Sequence, residues 1–205
     1  MATVVIGGHS RNIGKTSVAA GLIAAFPGYG WTAIKVTQFG HGVCSINGRA
    51  CGCAVEEHSY AIHEERSRKG ATDSSRFLVA GARRSLWVRT KQGRLGLAMP
   101  ELLPLLMSEP HIIVESNSIL GFIQPDLYIV VLSFDTPDFK SSAREFLSRA
   151  DAAVVVRGAA LEPSWDGFAG EALGKIPMYP AHPPEYVSQG LKEFVASRLI
   201  VNPKS

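Results

Sequence analysis

The chain lacks any run approaching the roughly 18 consecutive apolar residues of a membrane span, and its opening MATVVIGGHS has no basic flank ahead of an apolar stretch. No spanning segment or secretory leader is therefore expected, and the chain reads as cytoplasmic. Charge of one sign is also missing: 21 Lys+Arg face 18 Asp+Glu, a net charge of +3, which neither demands a nucleic-acid partner nor builds an acidic surface. Cysteine is scarce, and its three residues all lie between Cys44 and Cys53, a poor disulfide framework but a reasonable density for metal or redox chemistry. Repeats and low-complexity linkers are absent as well. What remains is 205 residues with 46% apolar and 19% charged side chains, the balance of a globular protein. That length predicts one domain over 1–205 with a real core.

Short β-branched or apolar runs at 3–6, 31–37, 85–89, 111–115, 127–132 and 153–157 read as strands. Helical patterns follow Lys15, where TSVAAGLIAAF is stopped by Pro27-Gly28, and occupy 74–82, 100–107, 141–150 and 185–200. Near-continuous apolar strands alternating with helices predict an α/β protein of three α/β/α layers around a mostly parallel sheet. Because TSVAAGLIAAF is apolar nearly all round, that helix should be covered on several sides. The irregular stretch is 38–57, rich in Gly and Cys and longer than connections in compact domains usually are.

The segment GGHSRNIGKTS joins the first strand to the first helix through a glycine-bearing loop. Backbone N–H groups of Gly8, Asn12, Ile13, Gly14, Lys15, Thr16 and Ser17 at such a helix start can face phosphate oxygens. Lys15 adds a mobile positive charge, and the Thr16 hydroxyl can hold Mg²⁺. The strict G-x-x-x-x-G-K-S/T spacing would put glycine at 9, where His9 stands, with Gly8 one residue earlier. A phosphate loop also needs an acid at a neighbouring strand end to order Mg²⁺ and its waters, and HIIVES offers Glu115. Lys15 and Glu115 are therefore the catalytic candidates. Lys35, near the end of the second strand, should lie at the same carboxyl edge. The ligand read from these residues is GTP or ATP with Mg²⁺. No Asn-Lys-x-Asp segment is present to read guanine, so the base stays open.

These residues resemble the P-loop NTPases that include dethiobiotin synthetase, the cobyrinic acid amidases and the molybdopterin-guanine dinucleotide biosynthesis protein B family. GGHSRNIGKTSVAAGLIAAF is similar to the dethiobiotin synthetase loop, which also sets its first glycine one residue further from GKT. HIIVES resembles the strand ending in a Mg-linked Glu of both families. GATDSSRFLVAGARRSLWVRT resembles the protein B family, with Asp73, Ser74, Arg76, Ala80, Gly81 and Ala82 matching one by one, as does AIKVTQFGHG, which keeps His41. The likeness covers roughly the first 155 residues. Two departures stand out: His9 breaks the strict loop spacing, and the Cys-bearing insertion belongs to neither family's usual form. Ser10 and Arg11 stand where some relatives carry a further lysine. The resemblance implies a P-loop NTPase fold, nucleotide binding with slow hydrolysis, and an accessory role in molybdenum cofactor biosynthesis. The alternative it implies is an ATP-dependent carboxylate-activating ligase in which Lys15 and Lys35 stabilise a transferred phosphoryl group.

Arg66, Arg68, Lys69, Arg76, Arg83, Arg84, Arg89, Lys91 and Arg94 are interrupted by Asp73 alone among acids. Such a stretch suits a phosphorylated ligand such as a pterin phosphate, or else is a solvated face balanced by acids elsewhere. Nucleic acid is not the expected partner, since aromatic interleaving is lacking. A molybdenum cofactor enzyme or a second copy of the chain are the protein partners considered. His41, Cys44, Cys51 and Cys53 could wrap a Zn²⁺ ion, with His58 and His63 nearby, or the cysteines are simply reduced loop residues. The first of these readings gives a third function class, a nucleotide-switched metal-binding protein.

Overall fold

The structure, a computed structural model, describes residues 2–39, 60–160, 162–165 and 173–200. The insertion carrying His41, Cys44, Cys51, Cys53 and His58 lies outside the described residues, and with it the expected Zn²⁺ ligands. The strands are β1 (Ala2–Gly8), β2 (Thr32–Phe39), β3 (Tyr60–Glu64), β4 (Arg84–Lys91), β5 (His111–Glu115), β6 (Leu127–Ser133), β7 (Ala152–Val156) and β8 (Met178–Ala181). They form one eight-stranded sheet in the order β3-β4-β2-β5-β1-β6-β7-β8. All ladders between these strands are parallel except the antiparallel pair β3 and β4. Strand β1 is flanked by β5 and β6, both buried almost throughout, so the centre of the sheet is apolar on both faces.

The helices are α1 (Lys15–Ala25), α2 (Asp73–Val79), α3 (Met99–Ser108), α4 (Ser141–Phe146) and α5 (Gln189–Ile200). Alternation along the strands sorts the core in two. Val4, Ile6, Ile129 and Val131 pack under α1, α2 and α5, through Val18, Leu22, Phe77, Leu191 and Val195. Val5, Ile112, Val114 and Val130 face α3 and α4, through Leu102, Leu106 and Phe146. The result is a three-layer α/β/α fold with a strand, glycine loop and helix at its centre. In α1, Val18, Leu22 and Ile23 are fully buried, each contributing about 1.5–3 kcal/mol of apolar burial. That helix is covered on a further side because Gly21 admits Val187: a Cβ at 21 would stand 2.5 Å from Val187 Cγ2.

Sequence periodicity missed β3 and β8, both short and half-exposed edge strands with little apolar alternation to read. Three helix limits also shift. Helix α2 ends at Val79 because Gly81 takes φ 105°, a left-handed stop. The run expected over 141–150 breaks into α4 and a 3-10 turn, Leu147–Arg149. The helix expected from 185 begins at Gln189, since His182 and Glu185 first exchange backbone hydrogen bonds of 2.8 and 2.7 Å around Pro183-Pro184. Among the described residues no helix is long and apolar enough to cross a membrane.

Candidate functional site

All the parallel strands end at one edge, and there the loop from β1 to α1 opens onto a cleft of about 1280 Å³. Gly8, Asn12, Gly14, Lys15, Thr16, Ser17, Lys35 and Glu115 line it together. Ile13, expected beside them, is turned into the apolar core and is 6% exposed, so its side chain serves packing. The loop's shape depends on two left-handed residues, Asn12 at φ 55° and Gly14 at φ 98°, the second serving as N-cap of α1. At Gly14 a side chain would also meet Tyr186, whose Cε1 lies 2.5 Å from the Cβ position.

His9 explains how the loop tolerates its missing glycine. The imidazole is fully buried between Phe139 and Trp165, with ring centroids 5.2 and 4.7 Å away, and its Nε2 pairs with the Thr136 carbonyl at 3.1 Å. Its backbone N–H donates to Val131 O, and its carbonyl accepts from Lys140 N–H at 2.9 Å. Burial pushes its pKa below the ordinary value, so the ring is held neutral. The residue anchors the loop from beneath. His9→Ala is expected to cost about 2–4 kcal/mol through the cavity it leaves, read as a fall in Tm.

Lys15 folds back to donate to Ser10 O, while Ser10 Oγ donates to Asp138 Oδ2 at 2.7 Å. Burial, reinforced by Lys140 and Lys35 and opposed by Glu115, lowers the Lys15 pKa to about 8. Thr16 Oγ1 donates to the buried Glu115 Oε2 at 2.7 Å. The Lys35 ammonium donates to Glu115 Oε1, pairs with Asp73 Oδ2 at 2.9 Å and reaches Thr16 Oγ1 at 3.4 Å. Burial works against that charge, but Glu115 and Asp73 outweigh it and hold the Lys35 pKa above the ordinary lysine value. Beyond Glu115, Asn117 clamps the loop by accepting from Gly8 N at 2.8 Å and donating to Gly8 O at 2.9 Å.

Around this cleft Arg11, Lys15, Lys35, Arg76 and Lys140 outnumber Asp73, Glu115 and Asp138, which favours an anionic ligand. The basic stretch between 66 and 94 does not form one phosphate clamp. Arg83 and Arg84 pair with Glu109, and Arg84 also with Glu64, at the opposite, amino end of the sheet. Arg68 donates to Leu78 O, and Arg89 stacks over Trp87. Arg76 is the member that lines the cleft, donating to Ser17 Oγ at 2.9 Å.

Asp73, Asn117, Asp138, Lys140 and Tyr186 join the cleft without having been singled out as site residues from the sequence. A signal for three of them was present: Asn117, Asp138 and Lys140 follow closely on strands β5 and β6, at the sheet edge where such folds bind ligands. Among the described residues no group of three or more His, Cys, Asp or Glu could hold a metal ion.

No protein-family model matches the chain, and no curated protein matches it significantly. Solved structures similar to it include HypB from Helicobacter pylori in complex with nickel, at 14% identity and TM-score 0.49, covering 98% of this chain and 89% of that one. LpxK from Aquifex aeolicus in complex with ATP is 17% identical with TM-score 0.44, covering 80% of this chain and 52% of that one. The signal recognition particle 54 kDa protein from Aeropyrum pernix K1 in complex with GDP is 14% identical with TM-score 0.49, covering 97% of this chain and 46% of that one. The chain therefore spans about half the length of the latter two.

Proposed function

We propose that the chain binds a purine nucleoside triphosphate with Mg²⁺, hydrolyses it slowly, and serves as an accessory protein of molybdenum cofactor biosynthesis. The observation that carries nucleotide binding is the convergence of the Gly14-Lys15-Thr16 helix start and Glu115 on one cationic cleft at the carboxyl edge of the sheet. The triphosphate lies along the loop backbone, with Lys15 released from Ser10 O to its β/γ end. Mg²⁺ suits the hydroxyl of Thr16 and the carboxylates of Glu115 and Asp73, hard oxygen donors that already surround a cation in the form of the Lys35 ammonium. When bound, the ion would neutralise phosphate charge. The pathway assignment rests on the protein B resemblance at 70–90, to which Arg76 in the cleft lends support as a cation able to take a pterin phosphate. A cytoplasmic location and pairing with a molybdenum cofactor enzyme or a second copy belong to the same reading.

A second reading, the carboxylate-activating ligase, is favoured by Lys35. Its ammonium lines the same cleft as Lys15, and the volume exceeds the roughly 300–1,000 Å³ usual for one small ligand. Phosphate release that depends on a diamine acid would select it; slow basal hydrolysis would select the accessory role.

For either reading Glu115→Gln is expected to blunt the Mg²⁺ dependence of nucleotide binding at least tenfold, while affinity in EDTA changes little. Calorimetric titration with and without Mg²⁺ makes the comparison. A wild-type Mg²⁺ titration in the variant would remove Glu115 from the site.

A further inference from the structure

Strands β2 and β5 place Lys35 directly opposite Glu115 in parallel register, so the two side chains emerge side by side at the sheet edge. The first turn of α1 brings Thr16 to the same point, and the first residue of α2 brings Asp73. The Lys35 ammonium therefore sits among oxygens from three separate elements: Thr16 Oγ1 at 3.4 Å, Asp73 Oδ2 at 2.9 Å, and Glu115 Oε1 in direct contact. An internal cation thus sits among hard oxygen donors of the kind that suit a divalent ion.

We infer that Lys35 holds the divalent-cation seat in the nucleotide-free protein and exchanges with the metal, so that metal enters only when nucleotide phosphate draws the ammonium away. The inference rests on the Mg-nucleotide reading above. A divalent ion and an ammonium about 3 Å apart on one carboxylate repel strongly, the more so because Glu115 is buried. The Lys35 ammonium is the cation that an incoming ion meets at this point. It has to move. Its flexible stem allows this, and phosphate on the adjoining loop supplies the new partner. The exchange is reciprocal: nucleotide raises metal affinity and metal raises nucleotide affinity by the same factor. A fixed structural ion pair would show no such coupling through Lys35.

Mn²⁺ binding followed by electron paramagnetic resonance separates these outcomes in wild type, Lys35→Met and Lys35→Met with Asp73→Asn, each with and without ATP. Without nucleotide, Lys35→Met is expected to bind Mn²⁺ at least tenfold more tightly than wild type, and the added Asp73→Asn to cancel that gain. With ATP the difference between wild type and Lys35→Met should shrink. Should Lys35→Met fold poorly because Glu115 is left buried without its cation, a Tm rise of several degrees on adding Mn²⁺, absent in wild type, is the equivalent expected result. No Mn²⁺ gain by either readout, while ATP still brings Mn²⁺ to wild type, overturns the exchange and leaves the nucleotide reading standing. Absence of ATP-dependent Mn²⁺ binding in wild type overturns both.

Discussion

Lys15→Ala is expected to lower Mg-nucleotide affinity at least 100-fold, about 3 kcal/mol, with a change in Tm of no more than a few degrees. Among the described residues the side chain makes one hydrogen bond, to Ser10 O, and loss of such a bond costs about 1 kcal/mol. Removing a charge that burial already disfavours offsets part of that cost. The loop is shaped instead by Gly14, His9 and Asn117, all of which the variant retains. Titration calorimetry beside a thermal melt measures both effects. An affinity within threefold of wild type would end the phosphate-loop assignment.

The same lysine gives the site a pH signature. Its pKa of about 8 in the free protein, against 10.5 ordinarily, means that it is largely uncharged between those values, whereas a bound phosphate keeps it protonated. Binding then takes up a proton above pH 8, and affinity should fall about tenfold per pH unit until the pKa of the complex is reached. For stability the sign is opposite: the unfolded chain holds this proton more tightly, so the cost of burying the charge is full below pH 8 and is relieved towards pH 10.5. Lys15→Ala should abolish both dependences.

Gly14→Ala carries the second large effect. At φ 98° an L-residue is strained, and the added Cβ would stand 2.5 Å from Tyr186 Cε1, so both backbone and neighbour oppose it. A loss of about 2–4 kcal/mol is expected, a Tm drop of roughly 5–15 °C for a chain of this size, together with loss of nucleotide binding. Adding Tyr186→Ala should restore the steric part and leave the backbone part. Full recovery in the double variant would mean that the φ of Gly14 is not needed, and no loss in the single variant would remove the close approach.

The central strands of the sheet and the glycine-bearing loop from β1 to α1 were legible because both are local. The run from Ala2 through Gly8 to Lys15 writes strand, turn and helix in consecutive residues, and HIIVES writes a buried strand ending in an acid. What was not legible depends on register and on long-range packing. Nothing in the residues around His9 says that it meets Phe139 and Trp165, more than a hundred positions away, so it read as a broken motif instead of an anchor. The charges between 66 and 94 looked like one positive patch because Glu64 and Glu109, which neutralise Arg84 at the far end of the sheet, lie outside that stretch. Asp73 and Lys35 could each be noted in the sequence, but their meeting at 2.9 Å needs the placement of α2 over β2.

The most direct test is titration of the purified chain with ATP and with GTP, each in Mg²⁺ and in EDTA. Saturable one-to-one binding of at least one of them, tighter in Mg²⁺ and lost in Lys15→Ala, is the predicted result. Failure of both nucleotides to bind up to millimolar concentration, by a protein with an intact cooperative melt, would contradict it.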